Sequence, residues 1–177
     1  MRAWVVGFGL AAATTGVAQD RLRVGVVGNP AVGSPVPELA LPYFTAGGAG
    51  PVDQPFRLSA ELGRVVVVVF GPAADSAGWA AIGAQADSAW TSAVTAGVVK
   101  AAPMVAELAA SRSGAVRLKV LADSSGRGHR RFGVRAGAWE AFVIDDAGRL
   151  AFRVGFESGS AEALKQVAAA VGRTGGR

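Results

Sequence analysis

The clearest hydrophobic pattern in the chain is Gly63-Arg-Val-Val-Val-Val-Val-Phe70, five consecutive valines closed by a phenylalanine and then broken by Gly71-Pro72. An unbroken β-branched run of this kind predicts a strand covered on both faces, as in the middle of a mostly parallel sheet. From Ser76 onward the apolar spacing is helical. Trp79, Ile82, Ala86 and Ala89 fall on one face, and Asp75 or Ser76 stands ready to cap the first turn. The pattern changes within the short loop that joins the two.

Further along, Ala93 to Val99 predicts a second strand, and Pro103 opens a helix with Met104, Val105 and Leu108 on one side. Val116, Leu118 and Val120 alternate with Arg117 and Lys119, the mark of a half-buried strand, before the turn signal Asp123-Ser-Ser-Gly126. Ala141 to Asp145 and Leu150 to Val154 flank Asp146-Ala-Gly148, which predicts a hairpin. Ser160 then caps a last helix, with Leu164, Val167, Ala168 and Val171 on one stripe and Gly172 at its end. The order β-α-β-α-β-β-α implies an α/β domain of three layers.

The chain before this domain reads differently. Pro30, Pro35, Pro37, Pro42, Pro51 and Pro55, with Gly47, Gly48 and Gly50 among them, predict an extended arm over 19–55 rather than helices. Leu39, Leu41 and Tyr43 alternate, as do Phe56 and Leu58, so a small β-hairpin is expected there. At the very start, Arg2 precedes an uncharged stretch that ends in Gly16-Val17-Ala18, the small residues a signal peptidase requires. Residues 1–18 are therefore read as a signal peptide, and the mature chain as periplasmic or secreted. A retained membrane anchor is the rival reading, against which Gly, Ala and Thr dilute that stretch, and no other segment is apolar for long enough to span a bilayer.

A length of 177 residues, 51% of them apolar, suits one domain with a substantial core, taken here as 56–173. Eighteen Lys and Arg against thirteen Asp and Glu make the chain mildly basic, with Arg127, Arg130, Arg131 and Arg135 forming one basic corner around His129. Only 7% of residues are aromatic and no nucleic-acid-binding motif appears, so nucleic acid is not an expected partner.

Candidate chemistry narrows quickly. Gly28 and Gly33 have the spacing of a phosphate loop, but Ser34 stands where the lysine belongs and Pro35 and Pro37 follow. His129 is the only histidine, and Asp145-Asp146 sit at a hairpin turn where acids serve the backbone, so no metal or other cofactor is expected. No Gly-x-Ser-x-Gly elbow supports a hydrolase. There is no cysteine, which removes disulfides, thiolate nucleophiles and thiolate metal ligands together.

The loop after the valine strand keeps its interest, because open α/β sheets place their sites at the carboxyl ends of such strands. Pro72-Ala-Ala-Asp75-Ser76-Ala-Gly78-Trp79 resembles the Pro-x-x-Asp-Thr-Pro-Gly-Cys loop of the peroxiredoxins, of the alkyl hydroperoxide reductase and thiol-specific antioxidant family, bacterioferritin-comigratory type. Other segments are similar to that family in the same order: Gly33-Ser-Pro35 with Pro37-Glu-Leu39, Phe56-Arg-Leu58-Ser59 with Gly63, Leu121-Ala-Asp123 with Gly126, Phe132-Gly-Val134, and Ala141 to Asp145 with Gly148-Arg149. The resemblance implies a thioredoxin-like fold, a central mixed sheet flanked by helices, with the hairpin as an N-terminal extension.

In the family a cysteine thiolate attacks the peroxide O–O bond, aided by a Thr or Ser and by an arginine. Here Trp79 occupies the cysteine position, Ser76 the hydroxyl position and Trp139 the arginine position, with Arg135 four residues earlier as a partial substitute. An indole is only a donor, and a serine alkoxide is not accessible near neutral pH. The reading that follows is a degenerate peroxide site at Pro72, Ser76 and Trp79, with Ser76, Trp79, Arg135 and Trp139 as candidate binding residues for a protein or small-molecule partner. An enzyme using a non-thiol or cofactor-based route is the alternative, and a homodimer is left open.

Overall fold

The computed structural model describes residues 29–45, 48–49, 54–100 and 117–176; the expected signal peptide and the helix opened by Pro103 lie outside them. The strands are β1 (Ala40–Leu41), β2 (Tyr43–Thr45), β3 (Gly48–Ala49), β4 (Phe56–Arg57), β5 (Val66–Phe70), β6 (Val94–Val99), β7 (Leu118–Ala122), β8 (Trp139–Ile144) and β9 (Leu150–Phe156). The described helices are α1 (Ser76–Ser88), α2 (Arg127–Phe132) and α3 (Ala161–Gly175), with a single 3-10 turn at Leu58–Glu61.

The valine strand is the middle of the sheet's core. In the order β3-β2-β7-β6-β5-β8-β9, β5 runs parallel to β6 and antiparallel to β8, β6 runs parallel to β7, and the hairpin of β8 and β9 closes one edge. All five residues of β5 are buried. Because side chains alternate across a strand, the run divides between two cores. Val65, Val67 and Val69 join Ile82, Ala86, Leu164 and Val167 under α1 and α3, whereas Val66, Val68 and Phe70 join Leu39, Phe56, Leu58 and Phe132 on the other face.

The N-terminal arm supplies much of that second face. The expected hairpin appears as β1 paired antiparallel with β4, Leu41 opposite Phe56, while Tyr43 continues into β2 and pairs with β7. The arm is also tied to the β8–β9 turn: Gly33 N–H donates to the Leu150 carbonyl at 2.7 Å, and Leu150 N–H returns to the Ser34 carbonyl at 2.9 Å.

Three local readings need correction. α1 ends at Ser88, so exposed Ala89 is its C-cap and Trp90, fully buried, turns inward instead. α3 runs through Gly172 to Gly175, because the stripe that holds it, including Ala170 and Val171, lies against the sheet and outweighs one glycine's cost. α2 is unannounced in the sequence: six residues containing Gly128 are too few to display a helical period.

Leu39→Ala should cost about 2–5 kcal/mol, because its side chain is buried in the core opposite the helices. The check is the urea midpoint at unchanged slope. An effect under about 0.5 kcal/mol would mean that the arm is not part of the cooperative core.

Candidate functional site

The loop after β5 is closed by two tryptophans. Trp79, on the first turn of α1, has no exposed surface, and Trp139, at the start of β8, is 5% exposed. Their ring centroids are 4.7 Å apart at an interplanar angle of 53°, and Phe156 stacks on Trp139 at 5.7 Å. Both indole N–H groups are used by the loop itself. Trp79 Nε1 donates to the Pro72 carbonyl at 2.8 Å, and Trp139 Nε1 donates to Asp75 Oδ2 at 3.1 Å.

Three glycines make room for these rings. A Cβ on Gly97 of β6 would stand 2.5 Å from Trp79, and one on Gly71 or Gly78 would stand 2.5 Å from Trp139. Real Cβ contacts are never so close, so the rings occupy space that only glycine leaves free. Each ring removes roughly 150–250 Å² from water, worth on the order of 4–6 kcal/mol by area.

Asp75 joins loop and helix. Its Oδ1 accepts from Gly78 N–H at 2.9 Å as the N-cap of α1, and its backbone carbonyl accepts from Trp79 N–H at 3.1 Å. Its carboxyl is held below the usual carboxylate range by hydrogen bonds from Ser158 first and then Gly78, with Trp139 adding to them and desolvation opposing.

The remaining predicted residues lie outside this packing. Ser76 and Arg135 are exposed, Pro72 is half-buried, and among the described residues no hydrogen bond joins Ser76 to Arg135. The arrangement offers a hydroxyl and a proline on the surface above an aromatic floor. It presents no thiol, and among the described residues no cluster of three metal-ligating side chains occurs.

On the opposite face of the sheet lies a pair that the sequence reading does not anticipate. Asp123, fully buried at the end of β7, accepts from both His129 N–H, at 2.9 Å, and His129 Nδ1, at 2.8 Å. The imidazole packs edge-on against Phe70, 4.9 Å between centroids. Burial is the largest single influence on Asp123 and pushes its pKa up. The hydrogen bonds from the His129 ring, from His129 N–H and from Gly128 N–H together outweigh it, so the carboxyl lies below its ordinary value. The motif Leu121-Ala-Asp123-x-x-Gly126, which ends three residues before His129, was the available signal. It showed a turn, and only the folded α2 brings His129 back over Asp123.

Two predictions follow from these contacts. Gly97→Ala should destabilise by about 1–3 kcal/mol through overpacking, and by clearly less in a Trp79→Phe background, where the clashing ring atoms are gone. A double-mutant cycle by chemical denaturation measures the coupling, and strict additivity would disprove the socket. For Asp123, a folded-state pKa below the unfolded one means that its stabilisation is present above the ordinary value and is lost as pH falls through the folded one. Asp123→Asn should therefore lower stability at neutral pH and flatten the acid limb of the stability curve below about pH 4.

No family profile and no curated protein sequence matches the chain. Solved structures do. The reduced 2-Cys peroxiredoxin of Plasmodium vivax superposes with a TM-score of 0.64 at 15% identity, covering 80% of this chain and 96% of that one. The mitochondrial 2-Cys peroxiredoxin of Plasmodium falciparum gives 0.65 at 11% identity, covering 81% and 93%. A putative thiol:disulfide interchange protein, DsbE, from Chlorobium tepidum gives 0.60 at 23% identity, covering 81% and 99%. Likeness at such identities speaks for architecture, and with the sheet order above it establishes that this chain has the thioredoxin-like fold of the redoxins, built without a cysteine.

Proposed function

We propose that the protein is a redox-inactive redoxin-fold module that holds a protein or small-molecule partner, exported through residues 1–18, with 19–55 as its arm and 56–173 as its domain. The observation that carries this reading is Trp79. It stands at the position of the family's nucleophile, wholly buried, with its N–H spent on Pro72 and its ring seated over Gly97. Peroxide reduction by the family's route needs a thiolate that opens the O–O bond and becomes a sulfenic acid, and the chain contains no sulfur that can do this: its two methionines are thioethers.

What this end of the molecule retains is a rigid surface. Pro72 is held through its carbonyl, Asp75 caps α1, and the two mutually tilted indoles hydrogen-bond to both, so Ser76 is displayed on a braced loop. A preorganised surface loses little freedom on binding, which favours recognition over chemistry. The candidate docking face is therefore Pro72 and Ser76, with Trp79 and Trp139 as its floor and Arg135 as a charged neighbour.

The purified protein with a thiol reductant should consume hydrogen peroxide no faster than the reductant alone, and should not reduce insulin disulfides. Turnover above that background would overturn the inactive reading. A photocrosslinking residue at Ser76, but not at Glu162 on exposed α3, should yield a discrete adduct in the native host. Equal labelling from both positions, or none from Ser76, would overturn the docking face.

A further inference from the structure

A second feature at the carboxyl ends of the parallel strands is independent of the tryptophan loop. Lys100 directly follows β6, and β7 leads through Asp123 to Gly126 and α2. Gly126 has φ 65° and ψ 16°, a left-handed conformation that brings the turn under two cationic side chains. Measured from the point where a Gly126 Cβ would stand, Lys100 Nζ is 3.8 Å away, Lys100 Cε 3.0 Å and Arg130 Nη1 3.2 Å. Arg130 is fixed there by donating to the Ser125 carbonyl at 3.0 Å. Arg127, exposed on the first turn of α2, lies instead with Arg131 beside the Glu38–Leu41 segment.

Like charges converging on one point repel, and such groupings ordinarily carry an acid between them. Among the described residues, neither Lys100 nor Arg130 has a carboxylate partner: the acids in ion pairs are Glu61, Glu140 and Asp123. Asp123 is the nearest in sequence, but it is fully buried and its carboxylate is engaged by His129. The hydroxyl of Ser125, on an exposed residue of the same turn, accepts from Arg127 N–H at 3.3 Å. Two cations over a glycine that keeps the floor low suit a compact multivalent anion, while the Ser125 hydroxyl beside them donates to Asp123 Oδ1 at 3.4 Å.

We propose that Lys100 and Arg130 around Gly126 form a binding site for a small oxyanion of the phosphate or sulfate class, free or as the end group of a small molecule. Arg131 is excluded from it, since its guanidinium donates to the Glu38 carbonyl on the arm. The site stands or falls separately from the redox-inactive reading, because it shares no residue with the Pro72–Trp79 loop.

The test is titration of the full-length mature protein with inorganic phosphate, followed by amide NMR at constant ionic strength with chloride as the reference. The expected result is saturable shifts centred on Lys100, Ser125, Gly126 and Arg130, absent with chloride. The affinity should fall at least about tenfold in a Lys100→Gln/Arg130→Gln variant and stay within about twofold in Arg173→Gln. Shifts that never saturate, that chloride reproduces, or that persist unchanged in the double variant would overturn the site. If inorganic phosphate produced no shift while vesicles carrying a phosphomonoester headgroup moved the same amides, the small-ligand assignment would fall.

Discussion

The structure depends on one strand being apolar on both sides. A strand with valine at every position cannot face water, so both of its faces must be covered, and each cover is made by a different part of the chain. α1 and α3 close one face; the arm, the 3-10 turn and α2 close the other. The parallel neighbour β6 and the antiparallel neighbour β8 then satisfy its backbone on both edges. Where this strand and its parallel neighbours end, the chain must leave the sheet and turn, and the tryptophan loop and the Gly126 turn lie there.

At that end the molecule is filled by aromatic packing. The loop after β5 holds Pro72, the helix-capping Asp75 and Ser76. Its interior is filled by two indoles that hydrogen-bond to the loop they support. The glycines at 71, 78 and 97 matter more than the tryptophans alone, since a tryptophan can enter by one substitution but a fitted socket on three elements is a coordinated arrangement. Rigidity of this kind suits a surface that is recognised.

Much of this was legible before folding, and for identifiable reasons. The valine run, the alternation of Leu118 and Val120, and the hairpin turn at Asp146-Ala-Gly148 are local signals whose meaning does not depend on distant residues. The candidate loop was legible too, because Pro72, Ser76 and Trp79 sit within eight residues. α2 was not, since its six residues contain a glycine and owe their helix to capping and to Phe132 in the core. Ala89 has the spacing of the apolar face of α1, yet it is the exposed C-cap, and the side chain buried there is Trp90, a choice made by the space beside the sheet.

The sequence by itself determined the layered α/β class, the burial of the central strand and the absence of thiol chemistry, because each is a property of residue type and local order. The tertiary structure alone decided that Trp79 and Trp139 meet, that Gly97 is the floor beneath one of them, that His129 folds back onto Asp123, and that Lys100 and Arg130 converge over Gly126. These pairs are separated by many residues or by a left-handed turn. Nothing in a linear pattern records which side chains a β-strand crossover or a turn will bring within a few ångströms of each other.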